Sequence, residues 1–413
     1  MTTVTQTWAT HPDQFWLRGQ APPALVEYAD RLGYWKVYGY PEAVRILADP
    51  RTFSSDASRF VPRKDFVEGN LPTMDPPEHH KLRKLVSRAF TPKVVADLEP
   101  RIADLTNDLL DRAEADRTAD RAEADRTADR AEADRMELVA DLAYPLPVIV
   151  IAELLGVPSS DRHLFKQWVD GAFSSSEQFS LVEPSEQQQR AMDRAFEQLH
   201  HLTDYLGEHA AERRRCPRED LLTKLVEAEV DGERLSDAAV VNFANVLLIA
   251  GHITTTMLLG NTVLCLDAHP DVAGRVRADR TLVPATIEES LRFLSPFAAL
   301  ARVTNTDVEV GGARIPAGQM IMVVLAAANR DPRQFTDPNV FDPGRDPNPH
   351  LAFGRGIHFC IGAPLARLEG RVALNILLDR FPHLRTDPDE PPTFLPSPNL
   401  TGVRALPLLL DRR

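Results

Sequence analysis

The residue best placed to do chemistry is Cys360, in the segment HLAFGRGIHFCIGAPLARLEGRVALNILLDRF from His350 to Phe381. Phe353, Gly356, Cys360 and Gly362 form the pattern F-x-x-G-x-x-x-C-x-G, and an amphipathic helical pattern follows at once. A cysteine just before a helix N-terminus faces unpaired amides and the positive end of the helix dipole. Both stabilise a thiolate and tune its donation to a metal. Glycines there let the backbone turn sharply and come close to a bound group. Cys360 alone would read as a small, inert core residue; the four spaced positions with the helix behind them favour a metal-ligating thiolate. The other two cysteines, Cys216 and Cys265, are too scattered for a disulfide framework or a zinc site.

Two more segments carry candidate residues. EESLRF sets Glu289 and Arg292 three apart on one helix face, a spacing that by itself usually gives only a solvated pair. NVLLIAGHITTTMLLGN brings the small residues Ala250 and Gly251 close to Thr254, whose hydroxyl in an ordinary core helix would bond its own backbone carbonyl. With the cysteine loop, and in this order along the chain, these segments make the sequence similar to the soluble bacterial cytochromes P-450. The resemblance is strongest to the actinomycete type that decorates secondary metabolites, and it runs from Tyr34 to the C-terminus.

That resemblance implies one haem b (iron protoporphyrin IX), with Cys360 as the iron ligand and Phe353, Gly354 and Gly362 among the residues that hold the ring. Haem propionates need cationic partners, arginine above all. His79 and Arg83 in DPPEHHKLRKLVSRAF, Arg302 in ALARVT and His358 in GIHFCIG match the family's propionate-binding positions. Glu289 and Arg292, joined by Arg345 of FDPGR, match a buried structural triad behind the haem. On the oxygen side, Ala250 and Gly251 match the small residues that leave room for dioxygen, and Thr254 matches a proton-relaying threonine. The acid that precedes this threonine in the family is replaced by Ile253. Protons must then arrive through water, His252, Thr254 or the substrate. The departure leaves room for epoxidation or for loose coupling of electron use to product.

The implied activity uses dioxygen and two electrons to hydroxylate or epoxidise a bulky, largely apolar small molecule of polyketide or macrolide kind. Electrons would come from NAD(P)H through a separate ferredoxin and ferredoxin reductase, because the chain carries no flavin or iron–sulfur motif. Substrate walls are expected from the loop between Phe60 and Met74, the Phe173 to Phe196 region, the helix around Thr254, Phe297, Ala298, Ala299 and Leu300, and the turn at Leu400. Two rivals bear on the missing acid. A peroxide-driven oxidase or decarboxylase suits its loss but wants an arginine beside Gly251, which the sequence lacks; a haem-binding sensor would need neither Thr254 nor an open helix.

These groups must be positioned by a mostly helical chain with a smaller β-rich region, the fold the resemblance implies. Helical periodicity marks PEAVRILADP, the long run TPKVVADLEPRIADLTNDLLDRAEADR, the span from Gln187 to Arg214 and that from Ala238 to His269. GYWKVYGY alternates like a strand, and TDVEVGGARIPAGQMIMVVL reads as a hairpin followed by a strand. The proline-rich stretch from Pro332 to Pro349 must be irregular, yet Phe335 and Phe341 in it need burial. A nine-residue repeat, DRAEADRTA, occurs at Asp111 and Asp120 and begins a third time at Asp129 as DRAEADRME. Nine residues make about 2.5 helical turns, so successive copies share no apolar stripe. The repeat, residues 111–135, is therefore expected to be a solvated insertion in a single domain spanning 1–413.

Composition narrows the partners. With 413 residues, 43% of them hydrophobic, the chain can bury a deep core; its formal net charge of -13 disfavours nucleic acid or an anionic membrane. The N-terminal MTTVTQTWATHPDQFW has no basic region followed by an apolar one, so a cytoplasmic protein without a membrane partner is expected.

Overall fold

The computed structural model describes residues 8–60, 68–124, 134–172, 177–178, 180–182, 184–230 and 232–411. Its central element is the 32-residue helix Asp237–Ala268. Ser236 starts it: the side-chain oxygen accepts from the Ala239 amide at 3.0 Å, and Asp237 in the first turn complements the dipole. A helix apolar on nearly every face is stable only when surrounded. Pro145–Leu155, Glu186–Arg215, Val283–Phe293 and Ala363–Arg380 surround it. By length and composition this is the one described helix able to cross a membrane, but most of its apolar window is buried inside the protein.

A five-stranded sheet runs in the order Val26–Ala29, Tyr34–Val37, Met320–Val323, Leu300–Thr304, Phe53–Ser54. Tyr34–Val37 and Met320–Val323 pair parallel, with Trp35 opposite Ile321, and the other neighbours pair antiparallel. The expected hairpin forms from Val308–Val310 and Ala313–Ile315. The proline-rich stretch is irregular throughout, and Phe335 and Phe341 are both buried.

Two expectations need correction. The long helical run after Thr91 is two helices, Pro92–Ala96 and Glu99–Ala124, because Pro100 has no amide to donate and suits a first turn. The repeat is anchored at both ends instead of wholly solvated. Ala113 is buried, Asp111 pairs with Arg380, and the third copy ends within the strand Asp134–Glu137, which pairs with Pro407–Asp411. Residues 125–133 lie outside the described residues.

Candidate active site

The cysteine loop folds back on itself before the helix Ala363–Arg380. Cys360 N donates to Phe353 O at 2.9 Å, Phe359 N to Gly356 O at 3.1 Å, and Gly354 N to Leu351 O at 2.8 Å. Gly356 has φ of 71°, and a Cβ there would stand 2.5 Å from the Leu47 carbonyl oxygen, so only glycine lets the loop lie against the helix Tyr40–Ala48. Gly362 caps the following helix. Burial raises the Cys360 thiol pKa, while the Gly362 and Ala363 amides that bond its sulfur, and the Arg83 charge, pull it down.

The loop is held from behind by charges that the apolar core cannot leave unpaired. Arg292 bonds Glu289 at 2.7 and 2.8 Å and also reaches the carbonyls of Asn329, Pro338 and Val340. Glu289 in turn accepts from the Asp342 amide and Asn348, with Arg345 at 3.5 Å. The adjacent Glu288 binds Arg367 and His350; burial opposes its charge, but these partners win and hold its pKa down at about 2. Asn329 accepts from the Leu351 amide at 2.7 Å. Sequence reasoning found Glu289, Arg292 and Arg345 but missed Glu288 and Asn329. The doubled acid in EESLRF was the available signal for Glu288.

Cys360 opens onto a cavity of about 270 Å³. Ala250, Gly251 and Thr254 form part of the facing wall, and Leu71, Phe90, Phe243 and Phe297 make much of the rest apolar. A Cβ on Gly251 would meet Ile151 at 3.0 Å, so its small size also sets the distance to the helix Pro145–Leu155. The Thr254 hydroxyl donates to Ala250 O at 2.9 Å, which leaves its lone pairs to accept from the cavity.

Four cationic or imidazole groups gather at one edge. His79 and His358 pack with ring centroids 4.2 Å apart and their planes tilted by 55°, and Arg83 and Arg302 line the cavity beside them. Burial first, then the neighbouring positive charges, lower His79 to about 4 and His358 to about 3; burial lowers Arg302 to about 10. Both ring nitrogens of His79 are buried without a hydrogen-bond partner among the described residues. Such a cluster is costly unless an anion meets it. A thiol at one wall, small residues opposite and unmatched donors at one edge fit a flat group that carries iron and two carboxylates: a haem.

The structure brings Arg83, Ala250, Gly251, Thr254, Phe297, Leu300, Arg302, Phe353, Gly354, His358, Cys360 and Gly362 to one cavity, with His79 packed behind His358. Three expected wall residues lie elsewhere. Ala298 and Ala299 face a neighbouring cleft with Trp16 and Tyr38, and Leu400 is buried in a bridge to Phe297. Of the loop after Phe60, residues 61–67 lie outside the described residues, while Leu71 and Pro72 do line the cavity. No described residue from Phe173 to Phe196 does; Gln178 instead accepts from Lys36 at the edge of that other cleft. His252, held open as a proton source, is turned into the core. Its ring bonds Leu248 O at 2.5 Å and packs edge-on to Tyr144, and burial lowers its pKa to about 4.

Residues 35–410 match the family described as Cytochrome P-450. The chain belongs to the cytochrome P-450 family. It is 42% identical to the cyclomarin C epoxidase of Salinispora arenicola over 95% of this chain and 94% of that protein. To the erythromycin C-12 hydroxylase of Saccharopolyspora erythraea it is 42% identical over 92% and 90%. A crystal structure of HmtT, a protein involved in himastatin biosynthesis, superposes with a TM-score of 0.84 at 58% identity, covering 99% of this chain and all of that one. This cytochrome P-450 is thus a monooxygenase of bacterial secondary-metabolite type, and its family implies a haem and electrons from redox partners.

Proposed function

We propose that this cytochrome P-450 hydroxylates or epoxidises a bulky, largely apolar secondary metabolite of macrolide or cyclic polyketide kind. It would do so in the cytoplasm as one domain, taking electrons from NAD(P)H through a ferredoxin and its reductase. The observation that carries the reading is the single cavity in which the Cys360 thiol faces an almost wholly apolar wall across from Ala250, Gly251 and Thr254. Its cations, Arg83 and Arg302, sit with the neutral His358 at one edge, so the remaining wall offers no positive charge to hold an acidic substrate.

When bound, haem b supplies dioxygen activation through an iron ligated by a thiolate. Around it this chain's residues have separable tasks. Cys360 is the iron ligand, its sulfur steadied by the Gly362 and Ala363 amides. Phe353, Gly354 and Gly362 shape the thiolate side, and His79, Arg83, Arg302 and His358 hold the propionates. Ala250 and Gly251 keep space open on the facing wall, and Thr254 accepts and passes a proton at its hydroxyl oxygen. Phe297, Phe243, Phe90 and Leu71 exclude water and orient the apolar substrate.

The test is a screen of candidate metabolites for a low-to-high-spin shift of the haem spectrum, then turnover with a ferredoxin, its reductase, NADPH and isotopically labelled dioxygen. The expected product carries one labelled oxygen atom. A compound library spanning macrolides and other polyketides that gives neither shift nor labelled product would sink the reading.

A further inference from the structure

The four side chains at the cation edge of the cavity come from three separate stretches of chain. His79 and Arg83 lie one turn apart on the helix Glu78–Val86, Arg302 lies on the strand Leu300–Thr304, and His358 ends the single turn Gly356–His358. Asp75, outside the cluster, ties the three together. Its backbone oxygen accepts from the His79 amide at 3.0 Å, in the first turn of that helix. Its carboxylate accepts from the Ser55 amide at 2.8 Å and from the Ser54 hydroxyl. Ser54 ends the strand Phe53–Ser54, where it stands opposite Val303, the neighbour of Arg302. Ser55 is buried, and its Oγ shares a hydrogen bond of 2.9 Å with Nε2 of His358.

Two ordinary roles for an acid in this place do not account for it. A carboxylate just ahead of a helix commonly caps it by accepting first-turn amides. Here both oxygens are spent on residues 54 and 55, and Pro77 at the cap position makes no side-chain bond. Charge alone would count against the site, because a third negative charge beside two carboxylates weakens their binding. The Asp75 charge does reach His79 and Arg302, where it opposes the burial that lowers both. What the carboxylate contributes is position. A serine hydroxyl is free to rotate, but the Ser55 backbone is pinned by Asp75 and its Oγ meets the imidazole. With Nε2 engaged by Ser55, a neutral His358 has one nitrogen, Nδ1, left to offer a carboxylate.

We propose that Asp75 is a positioning residue for the haem propionates: it aligns His358 through Ser55 and holds the helix of His79 and Arg83 against the strand of Arg302. The inference rests on the assignment of those four residues to the propionates made above. Asp75 itself meets no propionate. Its part is to fix the distances between groups that do, which lie far apart in sequence and share no backbone element.

The experiment compares haem-loaded wild type, Asp75→Ala, Asp75→Asn and Ser55→Ala. Three quantities are read: the propionate bending bands in the resonance Raman spectrum, the haem reduction potential, and the rate at which haem passes to excess apomyoglobin. Asp75→Ala and Ser55→Ala should shift the same propionate bands and speed haem loss about ten-fold. Joining the two substitutions should add little, because both break one path. Asp75→Asn keeps an acceptor for the Ser55 amide but sheds the charge. Its bands and haem loss should stay near wild type while the reduction potential rises, since a nearby negative charge favours the oxidised iron. A purely structural role would lower the unfolding midpoint of the alanine variants and leave the bands in place. Unshifted bands in Asp75→Ala and Ser55→Ala, or a shift in Asp75→Asn as large as in Asp75→Ala, overturns the proposal. If Asp75→Ala does not load haem, Ser55→Ala decides, because it leaves the carboxylate and its bond to residue 54 intact. Unshifted bands in Arg302→Gln overturn the propionate assignment instead.

Discussion

The two walls of the cavity are built on opposite principles. Behind Cys360, Glu288, Glu289, Arg292, Arg367 and His350 bond one another and a series of backbone carbonyls and amides, fixing the loop from several directions at once. Across from it, the central helix offers mostly apolar atoms and two hydroxyls bonded to their own backbone. One wall is over-determined by hydrogen bonds and the other is shaped by packing. A ligand to iron tolerates little displacement, whereas a substrate wall must suit one molecule among many and can vary without loosening the frame.

The sharpest break of this contrast is Cys360→Ser. A neutral hydroxyl cannot replace the anionic donor, so the thiolate spectrum of the reduced carbon monoxide complex and essentially all turnover should vanish, while Cys216→Ser and Cys265→Ser keep both. If Cys360→Ser retained that spectrum, the ligand assignment would fall. Next in size is Arg292→Ala, which strands the buried Glu289 and frees the carbonyls of the proline-rich loop. It should cost about 3–5 kcal/mol, read as a lower unfolding midpoint and poor haem retention.

Glu369, buried on the cavity wall, gives a pH test of the packed side. Its folded pKa is raised from 4.5 to about 8, so its contribution to stability is full below 4.5 and is lost as pH rises through about 8. Relative to Glu369→Gln, wild type should therefore lose stability, on the order of a few kcal/mol, across that window. Denaturant unfolding of both proteins at a series of pH values measures it, and parallel curves would contradict it. Thr254→Ala should leave stability within about 1 kcal/mol, since the hydroxyl bonds only its own backbone, yet raise peroxide per electron several-fold. The smallest effect is expected from excising one repeat copy, Asp120 to Ala128. The buried Ala113 and the strand from Asp134 both remain, so unfolding and haem content should change by less than about 1 kcal/mol and a few per cent.

The same contrast explains what the sequence disclosed. The over-determined wall is written in short spacings: F-x-x-G-x-x-x-C-x-G for the loop, E-x-x-R for the staple, and Arg345 in the stretch the staple grips. The hairpin was legible because its residues alternate, and the long helices because their apolar positions recur at helical spacing or, in the central helix, fill nearly every face. The packed wall depends on which residues meet across the fold. Ala298 and Ala299 turn into a neighbouring cleft, and Leu400 is covered by Phe297, though all stand beside residues that do line the cavity. Glu369 escaped notice because LARLEG reads as ordinary amphipathic helix, and only burial of its carboxyl sets it apart from a solvated glutamate. The repeat looked uniform, yet its ends take different structures because the body, not the repeated letters, decides them.

The parallel pairing of Trp35 with Ile321 has a consequence in time. An N-terminal strand emerges long before its partner is made, and at roughly 5–20 residues per second the wait during synthesis is on the order of half a minute. Until then one edge of that strand, the one not paired with Val26–Ala29, has no partner, and pairings between such distant residues also close slowly once both are available. Arg302 rides on the strand Leu300–Thr304, next to Met320–Val323 in the same sheet, and belongs to the cluster with His79 and Arg83. Pigment capture therefore belongs to the last stage of the chain's birth, when its two ends are knitted together.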